Sequence, residues 1–549
     1  MRLTGAEILI ETLVKHNVDT VFGYPGGAVL NIYDELYKNS HRINHIITAH
    51  EQGAAHAADG YARVSGKTGV VIATSGPGAT NLVTGIANAY LDSVPLVAIT
   101  GNVAANLLGR DSFQEVDIVG ITQPIVKHNY IVKDVEKLEQ TINEAFHIAS
   151  SGRKGPVLID IPKSVQIASC EYTDKPLDRV KPMPKYENDY NKAIEAIKNS
   201  KMPYIYCGGG VIASGAEQEV LELSKKISAP IGLSMMGITA IPNSYELNLG
   251  MCGMHGKYAA SVAQSEADLL IAVGVRFSDR ATGNVDEYAN KCNIIHIDID
   301  AAEIGKNVKS KIGLCGDVKE ILLQLLPKIT QTYNENWIHR INELKKTDAQ
   351  IDDNLFSPKN IIKTVRTFCK DDTIVATDVG QHQMWTLQFY PFEKPRTLLT
   401  SGGLGTMGYG FGAAIGGCIA SGRKRTVLFT SDGSFGMNLN ELATAVSQQL
   451  PVIIVMLNNS VLGMVRQWQN MFFGERYSYT TLNRKTDFTA LAQAFGAKGY
   501  RAESLEKLND ILSKLKDDGP CVIDCKIDMD EKVFPMIPPG GSVKNIVVK

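Results

Sequence analysis

Two stretches of this chain, 356 positions apart, repeat one pattern of local structure. A gapless alignment matches Thr74, Ser75, Ala87, Ala89, Pro95 and Asn102 with Thr430, Ser431, Ala443, Ala445, Pro451 and Asn458. Each copy consists of an apolar strand, a glycine-containing turn, a helix, a proline and a second apolar strand, which is the order of a doubly wound α/β unit. The repeat therefore predicts an α/β protein with parallel sheets, in which two domains share one architecture.

Three α/β domains are predicted, at residues 1–165, 190–327 and 357–549, each with a doubly wound parallel sheet. Residues 170–190 are charged and contain three prolines, which is typical of a linker. Residues 328–353 are polar and predicted to be helical, and the tail from residue 535 is interpreted as a lid. Strands are predicted at residues 70–74, 96–100, 156–161, 204–207, 230–233, 269–273, 294–299, 374–377, 427–430 and 452–457.

Composition and charge exclude several classes of protein. The formal net charge is −2 and there is no long cluster of Lys and Arg, so binding to nucleic acid or an anionic membrane surface is not expected. No run reaches the roughly 20 apolar residues of a membrane span. The first residues predict a helix capped by Thr4 and not a signal peptide. Nine cysteines without a Cys-x-x-Cys pair are expected to be reduced, so we predict a cytoplasmic enzyme.

The two copies of the repeat differ at two informative positions. The second copy has Asp432 and Asn459 where the first has Gly76 and Val103. Mg²⁺ prefers such oxygen ligands together with phosphate oxygens, and a glycine-rich turn at a helix start suits a diphosphate. Asp and Asn are also common turn formers, so these residues alone leave both interpretations open.

The segments Ser-Asp-Gly-Ser-Phe (431–435) and Leu-Asn-Asn (457–459) resemble the thiamine-diphosphate motif, although Ser431 stands where that family usually has Gly. The resemblance implies that Asp432, Asn459 and the carbonyl oxygen of Val461 hold Mg²⁺ on the diphosphate of the cofactor. A metal site is therefore expected in the second copy only.

The first copy contains His50-Glu51-Gln52-Gly53, which is similar to the segment where thiamine-diphosphate enzymes place a glutamate. In that family the glutamate is hydrogen-bonded to N1′ of the aminopyrimidine ring. Glu51 is accordingly the candidate catalytic acid and base. The alternative is a glutamate that only stabilises a helix N-terminus.

The middle domain carries a second nucleotide-like pattern. Three glycines, Gly208 to Gly210, follow one apolar strand, and Asp298 ends another. Ligands of open α/β sheets bind at such strand ends. The pattern resembles the FAD-binding middle domain of acetohydroxyacid synthase (acetolactate synthase) large subunits, with Ser278 in place of their usual Asp. The FAD contacts implied by this resemblance are Arg153, Gly208, Gly209, Gly210, Ser234, Met235, Met254, Gly274, Arg276, Arg280, Asp298, Ile299, Asp317 and Val318.

Motifs in the order of that family span essentially the whole chain, including Gly-Tyr-Pro-Gly-Gly-Ala (23–28) and Gly-Met-Val-Arg-Gln-Trp-Gln (463–469). The residues implied to contact thiamine diphosphate, besides Glu51 and the metal ligands, are Val379, Gly380, Gln381, His382, Gly405, Met407, Gly433, Ser434, Gly463 and Met464. Met407 would support the bent form of the cofactor. Its alternative role, and that of Met464, is packing in the core.

The resemblance implies a reaction in which pyruvate loses CO₂ and its two-carbon unit joins a second pyruvate or 2-ketobutyrate, the first common step of branched-chain amino acid biosynthesis. Arg280 is the candidate ligand for the carboxylate of the second substrate, and Trp468 would contact its alkyl group. The residues implied to line the approach to the cofactor are Gly26, Gly27, Phe113, Gln114 and Lys163.

The same resemblance implies a homodimer or a dimer of dimers, with Glu51 and the metal site facing each other across a subunit boundary, and FAD without a redox role. It leaves open whether a small regulatory subunit binds. A flavin-dependent pyruvate oxidase shares both cofactor sites and is the main alternative. A non-enzymatic nucleotide-binding scaffold would explain the glycine-rich turns but not the unequal copies of the repeat.

Overall fold

A computed structural model describes residues 1–173, 186–288, 292–348 and 356–548. It contains three six-stranded sheets, and neighbouring strands in each of them are parallel. Crossover connections, most of which contain a helix, join successive strands, as parallel pairing requires. The predicted fold class is therefore confirmed, while the exact domain boundaries remain predictions.

The first domain carries a sheet of order β3-β2-β4-β5-β7-β6 and a separate antiparallel pair, β1 with β8. Its strands are β1 (Arg2–Thr4), β2 (Thr20–Gly23), β3 (Asn44–Ile47), β4 (Gly69–Ala73), β5 (Leu96–Asn102), β6 (His128–Ile131), β7 (Pro156–Pro162) and β8 (Ser169–Glu171). Its helices are α1 (Gly5–Lys15), α2 (Leu30–Lys38), α3 (Glu51–Ser65), α4 (Pro77–Asn81), α5 (Val83–Asp92), α6 (Ile118–Thr122), α7 (Leu138–Ser150) and α8 (Lys163–Ile167). Thr4 caps α1 through a capping box with Glu7, as its sequence predicted.

The middle domain has a sheet of order β11-β10-β9-β12-β13-β14. Its strands are β9 (Pro203–Cys207), β10 (Ile231–Leu233), β11 (Asn248–Met251), β12 (Leu269–Val273), β13 (Asn293–Asp298) and β14 (Ile312–Cys315). Its helices are α9 (Tyr190–Asn199), α10 (Gly209–Ser214), α11 (Glu217–Ile227), α12 (Tyr258–Glu266), α13 (Asp279–Thr282), α14 (Val318–Leu325) and α15 (Glu335–Asp348). Helix α15 confirms part of the helix predicted for residues 328–353; residues 349–353 lie outside the described ranges.

The third domain has a sheet of order β16-β15-β17-β18-β20-β19. Its strands are β15 (Ile374–Thr377), β16 (Leu398–Leu399), β17 (Thr426–Thr430), β18 (Val452–Asn458), β19 (Lys498–Ala502) and β20 (Cys521–Lys526). Its helices are α16 (Pro358–Thr367), α17 (Gln381–Phe389), α18 (Tyr409–Ala420), α19 (Asp432–Asn438), α20 (Leu442–Ser447), α21 (Gly463–Phe472), α22 (Phe488–Ala494) and α23 (Leu505–Lys514). The predicted strands lie within two residues of observed ones in all three domains.

The first and third sheets have the same strand order, which confirms the internal repeat. Even a buried side-chain pair is preserved between them. Asn102 at the end of β5 donates to Asp160 across 2.6 Å, and Asn458 at the end of β18 donates to Asp524 across 2.7 Å. Each pair joins two neighbouring strands, so it fixes the edge of the sheet where ligands bind in this fold.

Helices α3 and α18, which are equivalent in the repeat, pack directly against each other and join the first and third domains. Small residues make this possible: a Cβ on Gly60 would lie 2.3 Å from the carbonyl oxygen of Ala413, and one on Gly416 would lie 1.8 Å from that of Ala57. These two contacts are related by the offset of the repeat. The interface is therefore pseudosymmetric, and its close approach depends on glycine.

The tail proposed as a lid packs against the middle domain. Ile537 N donates to Met254 O at 2.8 Å, and Asn284 N donates to Gly541 O at 2.9 Å. Val533 and Met536 are fully buried. Its movement as a lid remains a prediction. Of the predicted linker, residues 174–185 lie outside the described ranges. Within those ranges no helix is both long and apolar enough to span a bilayer.

Candidate active site

Glu51 is the first residue of α3 and is largely buried. His50 caps this helix by accepting a hydrogen bond from Gln52 N. The Glu51 carboxylate accepts a hydrogen bond from Asn81 Nδ2 at 2.9 Å, and a Cβ on Gly78 would lie 3.2 Å from its other oxygen. Glu51 therefore lies at the carboxyl edge of the first sheet, just after β3.

The loop that contains Gly26 and Gly27 lies beside the same edge. A Cβ on Gly26 would lie 2.5 Å from Thr74, whereas one on Gly27 would meet nothing within 4 Å. Two side chains hold the next residue, Ala28: Thr74 Oγ1 accepts from its N–H at 3.2 Å, and Gln166 donates to its carbonyl at 2.8 Å. The loop is thus fixed on the side of Gly26 and Ala28 and open at Gly27. A substrate that has to reach a reacting group beside this loop needs such an open side.

Gln114 also reaches this cluster. Gly76 and Gln114 both have a positive φ, +59° and +58°, and a Cβ on Gly76 would lie 2.8 Å from Gln114 O. Phe113 is 87% exposed and Lys163, the first residue of α8, is exposed. Gln114 therefore packs against the turn at Gly76. The roles of Phe113, Gln114 and Lys163 in lining the approach to the cofactor remain predictions.

A second cluster surrounds Asp432, the first residue of α19, at the edge of the third sheet. Asp432 is 5% exposed, and its Oδ1 has no hydrogen-bond partner among the described residues. Burial raises the pKa of this carboxyl to about 6. A buried carboxylate oxygen without a donor is costly unless a cation or a ligand completes it.

Asn459 directly follows β18, which pairs with β17, the strand that leads to Asp432. Its Nδ2 donates to Gln381 Oε1 at 3.1 Å, and its Oδ1 accepts from Val461 N at 3.3 Å. A Cβ on Gly463 would lie 1.9 Å from Gln381 Oε1, so only glycine allows this approach. Gln381 is held in turn by Glu531 O, at 2.7 Å from its Nε2. The four predicted residues Gln381, Asn459, Val461 and Gly463 are thus brought together.

Asp378 fixes the loop that contains Met407. This buried carboxylate accepts hydrogen bonds from Gly408 N at 2.8 Å, Gly410 N at 3.0 Å and Thr430 Oγ1 at 2.9 Å. Met407 Cε lies 4.0 Å from the position of a Cβ on Gly433. Met407 therefore lies beside the turn that begins α19, so its role is not limited to packing in the hydrophobic core.

The other predicted diphosphate contacts lie at the start of α17 and α19. Ser434 Oγ donates to Val379 O at 2.9 Å, which ties the two turns together. His382 is buried, and burial lowers its pKa to about 3, so the imidazole is neutral. Gly380 and Gly405 have positive φ, +150° and +71°. Met464 is half-buried against the core, so its alternative role in packing stays open.

The donor set around Asp432 fits a hard divalent cation. No group of three His, Cys, Asp or Glu side chains able to hold a metal occurs in the described part of the chain. The ligands predicted for a metal are Asp432, the Asn459 amide oxygen and the Val461 carbonyl, and this assignment remains a prediction. These are the oxygen ligands that Mg²⁺ takes when phosphate and water complete its shell.

In the middle domain, close packing accounts for three of the predicted glycines. A Cβ on Gly208 would lie 2.0 Å from Gly274 O, and one on Gly210 would lie 2.6 Å from Gly274 Cα. This approach brings the turns after β9 and β12 together. Gly208 N donates to Val273 O at 2.9 Å, Gly210 N to Gly274 O at 3.2 Å and Gly274 N to Ile297 O at 2.8 Å, so backbone hydrogen bonds fix this edge of the sheet. Burial raises the pKa of nearby Asp298 to about 6.

Two arginines lie at this edge of the middle sheet, close to the carboxyl groups of Asp298, Asp300 and Glu303. Arg153 of the first domain pairs with Glu303 at 2.7 Å and with Asp300 at 3.4 Å. Burial, followed by the positive charge of Arg153, lowers the pKa of Arg276. A partly buried guanidinium beside a second one suits a diphosphate. The residues therefore fit the diphosphate of a dinucleotide such as FAD.

Local structure accounts for several other predicted FAD contacts. Ser234 accepts from Gly237 N at 3.2 Å, and Asp317 caps α14 by accepting from Lys319 N at 2.9 Å. The remaining predicted contacts are buried or half-buried around the same edge, and they are Gly209, Met235, Met254, Ile299 and Val318. Their contact with FAD remains a prediction.

Arg280 and Trp468, the two residues predicted to bind the second substrate, lie together. The Arg280 guanidinium carbon lies 5.4 Å from the centre of the Trp468 ring, and Arg280 Nη1 lies 3.4 Å from Met254 Sδ. Arg280 is exposed, and its pairing with Asp279 is a 3.8 Å contact between exposed side chains. The middle and third domains therefore jointly form a half-open site with a cation over an aromatic face.

Sequence reasoning missed four supporting residues: Asn81, Gln166, Asp378 and Glu441. Asp378 had a signal, because it lies between a predicted strand, residues 374–377, and the Val379-Gly380-Gln381 motif. Asn81, Gln166 and Glu441 had none, since each contacts a segment that is distant in the sequence or in another domain.

Comparisons with known proteins agree with this geometry. Three family models match the chain: the N-terminal thiamine pyrophosphate binding domain of thiamine pyrophosphate enzymes at residues 3–121, their central domain at residues 190–325 and their C-terminal thiamine pyrophosphate binding domain at residues 378–525. Glu51 and Asn81 lie within the first match, and Asp432 and Asn459 lie within the last.

Full-length relatives are more specific. The probable acetolactate synthase large subunit of Methanocaldococcus jannaschii is 44% identical over 99% of this chain and 95% of its own length. The acetolactate synthase large subunit of Buchnera aphidicola is 42% identical over 99% of this chain and 98% of its own. The chain belongs to the acetolactate synthase large-subunit family. The acetolactate synthase large subunit of Corynebacterium glutamicum is also similar, 44% identical over 99% of this chain and 90% of its own. These relatives favour the synthase over the pyruvate oxidase alternative.

Proposed function

We propose that this protein is the catalytic chain of an acetolactate synthase. It joins the two-carbon unit of one pyruvate to a second pyruvate or to 2-ketobutyrate, and so catalyses the first common step of valine, leucine and isoleucine biosynthesis. The carrying observation is the unequal repeat. Glu51 lies at one sheet edge, and Asp432, whose buried Oδ1 has no hydrogen-bond partner within the described ranges, lies at the equivalent edge of the other. The family assignment gives the same reaction.

Asp432, Asn459 and the Val461 carbonyl would hold Mg²⁺, and the turns at Gly380 and Ser434 would hold the diphosphate of thiamine diphosphate. Asp378 fixes Gly408 and Gly410, and so holds Met407 where it would support the bound cofactor. When bound, the cofactor supplies the electron sink that decarboxylation of a 2-keto acid requires.

Glu51 would hold and return a proton at N1′ of the aminopyrimidine ring. Its carboxylate is oriented by Asn81, which donates to one oxygen and leaves the other available. The Gly26–Gly27 loop would lie against the reacting atom, because the free face of Gly27 admits a substrate. Arg280 would bind the carboxylate of the second keto acid, and Trp468 would contact its alkyl group.

FAD would bind at the carboxyl edge of the middle sheet, between Arg153, Arg276 and the glycine turns. The reaction consumes and releases no electrons, so we assign the flavin a structural role. A second copy of the chain would bring its metal cluster to Glu51, giving a homodimer or a dimer of dimers. The protein would work in the cytoplasm, and a small regulatory subunit is an open partner.

The first test is to incubate the purified chain with pyruvate, Mg²⁺, thiamine diphosphate and FAD. We expect 2-acetolactate and CO₂ in a 1:1 ratio, measured by mass spectrometry and gas release, with the visible flavin absorbance unchanged. A pyruvate oxidase would bleach its flavin under anaerobic conditions and form no acetolactate. Bleaching without acetolactate would therefore replace the synthase proposal with the oxidase.

Trp468 is expected to set the choice of second substrate. One additional buried methylene contributes about 0.8 kcal/mol, and a well-packed pocket discriminates by about 1–3 kcal/mol. We therefore expect 2-ketobutyrate to be preferred over pyruvate as acceptor, and Trp468→Leu to lose most of that preference while still making acetolactate. The measurement is the ratio of acetohydroxybutyrate to acetolactate with both keto acids present.

Phe472→Leu is the matched control, because Phe472 lies one turn further along α21 with its ring 6.2 Å from that of Trp468. This variant should keep the product ratio of the parent chain. A parent ratio in Trp468→Leu would instead assign the tryptophan to packing alone.

A further inference from the structure

Glu441 of the third domain reaches into the first domain. It ends a short helical turn, Leu439–Glu441, and its side chain is fully buried. Glu441 Oε1 accepts a hydrogen bond from His50 N at 3.0 Å, and Oε2 accepts from Ala49 N at 3.1 Å and from Thr444 Oγ1 at 2.7 Å. One carboxylate thus holds two consecutive backbone N–H groups of another domain.

Those two residues immediately precede Glu51. Their N–H groups lie outside α3, so without Glu441 they would be half-buried donors that lose the partner seen here. A Cβ on Gly53 would lie 2.0 Å from Glu441 Oε1, which shows how closely α3 approaches the carboxylate. Glu441 therefore fixes the backbone from which the Glu51 side chain projects, while Asn81 orients its carboxylate.

The repeat shows that this support is not a general feature of the fold. The counterpart of Glu441 in the first copy is Gly85, and the counterpart of Glu51 in the second copy is Met407. Thr406 N, which corresponds to His50 N, is held by Ser401 Oγ of its own domain at 2.9 Å. The buried carboxylate is thus present only opposite the copy that carries the glutamate.

We propose that Glu441 is a positioning residue for Glu51, which rests on the role of Glu51 in the proposed function. The carboxylate clamps residues 49 and 50 so that the Glu51 carboxylate meets the aminopyrimidine ring at hydrogen-bond distance. Glutamine at this position keeps the size of the side chain but turns one acceptor into a donor that faces a backbone N–H. Misplacement of a catalytic group by about 1 Å costs on the order of 10²-fold in rate.

The test compares the parent chain with Glu441→Gln. In the variant we expect kcat and the rate of C2 hydrogen exchange in bound thiamine diphosphate to fall by about 10- to 100-fold. The KM for pyruvate and the Mg²⁺-dependent cofactor affinity should change by less than about twofold, because uniform binding is retained. In the cofactor-free chain, mass spectrometry should show faster amide exchange at residues 49 and 50.

Asp59→Asn is the matched control. Asp59 is a second buried acid that joins α3 to the third domain, through a 2.7 Å hydrogen bond from Tyr409 Oη, but it lies two turns beyond Glu51. Its variant should leave the C2 exchange rate unchanged. If C2 exchange in Glu441→Gln is as fast as in the parent chain, the proposal is overturned. Equal slowing of exchange in both variants would also overturn it, because it would show a general loosening of the interface between the domains.

Glu51→Gln is measured in parallel to separate this inference from the proposed function. Fast exchange in Glu51→Gln would refute the role of Glu51 itself. Slow exchange there, with parent exchange in Glu441→Gln, would refute only the positioning role. If Glu441→Gln does not fold, Thr444→Val removes the hydroxyl that donates to Glu441 Oε2 and keeps the side-chain shape. It should slow exchange by about threefold or more, and parent exchange in that variant would contradict the proposal.

Discussion

Replacement of Glu51 by glutamine is expected to slow C2 hydrogen exchange in bound thiamine diphosphate by about 10²–10⁴-fold, the range of general acid–base catalysis. The amide fills the same space and still accepts a hydrogen bond from Asn81, but it cannot take up and return a proton. The Mg²⁺-dependent affinity for the cofactor should stay near that of the parent chain, because the metal and diphosphate groups belong to the Asp432 cluster. The exchange rate is measured by diluting the loaded protein into D₂O, quenching at set times and counting the remaining C2 hydrogen by proton NMR.

Glu217→Gln tests the alternative in which Glu51 acts only on a helix terminus. Glu217 is also the first residue of a helix, α11, but it lies in the middle domain. A glutamate that merely interacts with the helix dipole contributes about 0.3–1 kcal/mol to stability. If Glu51 acts only on the helix terminus, Glu51→Gln and Glu217→Gln should show similar small losses of stability, and both should exchange the C2 hydrogen at the rate of the parent chain. That result would remove Glu51 from the catalytic site.

Replacement of Asp432 by alanine is expected to abolish Mg²⁺-dependent binding of thiamine diphosphate. The variant removes the only carboxylate of the predicted metal site, and an amide and a carbonyl oxygen alone bind Mg²⁺ weakly. Isothermal titration with Mg²⁺ and cofactor measures the loss. The parent chain should also gain thermal stability on addition of both ligands, whereas the variant should gain none.

The melting temperature of Asp432→Ala, measured without metal and cofactor, provides a second readout. Because Asp432 Oδ1 is buried without a hydrogen-bond partner among the described residues, its removal should not lower the melting temperature of the ligand-free chain. Asp487→Ala is the matched control: Asp487 caps α22 in the same domain and is exposed. This variant should lose some stability but keep its Mg²⁺ affinity. Parent affinity in a folded Asp432→Ala would eliminate the metal assignment.

The strands were predictable because their signal is local. Buried parallel strands need continuous apolar runs, and runs such as residues 269–273 and 374–377 are bounded by polar or glycine residues. The order of the strands in each sheet was not predictable from such runs. It depends on which helices cover which face, and on side-chain pairs such as Asn458 with Asp524 that join distant segments.

The site was predictable where its residues belong to short motifs. Asp432 and Asn459 stood out because the equivalent positions of the first copy hold Gly76 and Val103. The contact between Arg280 and Trp468 needed the structure, because it depends on how the middle and third domains meet. Glu441 could not be found at all, since it contacts backbone groups, which carry no sequence signal.

The sequence by itself determined the α/β class, the repeat and the choice of candidate catalytic and metal-binding residues, since these follow from local apolar patterns and from residue types at fixed spacing. Only the tertiary structure decided how those groups are supported. It placed α3 against α18 through Gly60 and Gly416, where larger side chains could not fit, and so brought Glu441 to the backbone beside Glu51. Such contacts depend on the packing of residues far apart in the chain, which local sequence patterns do not encode.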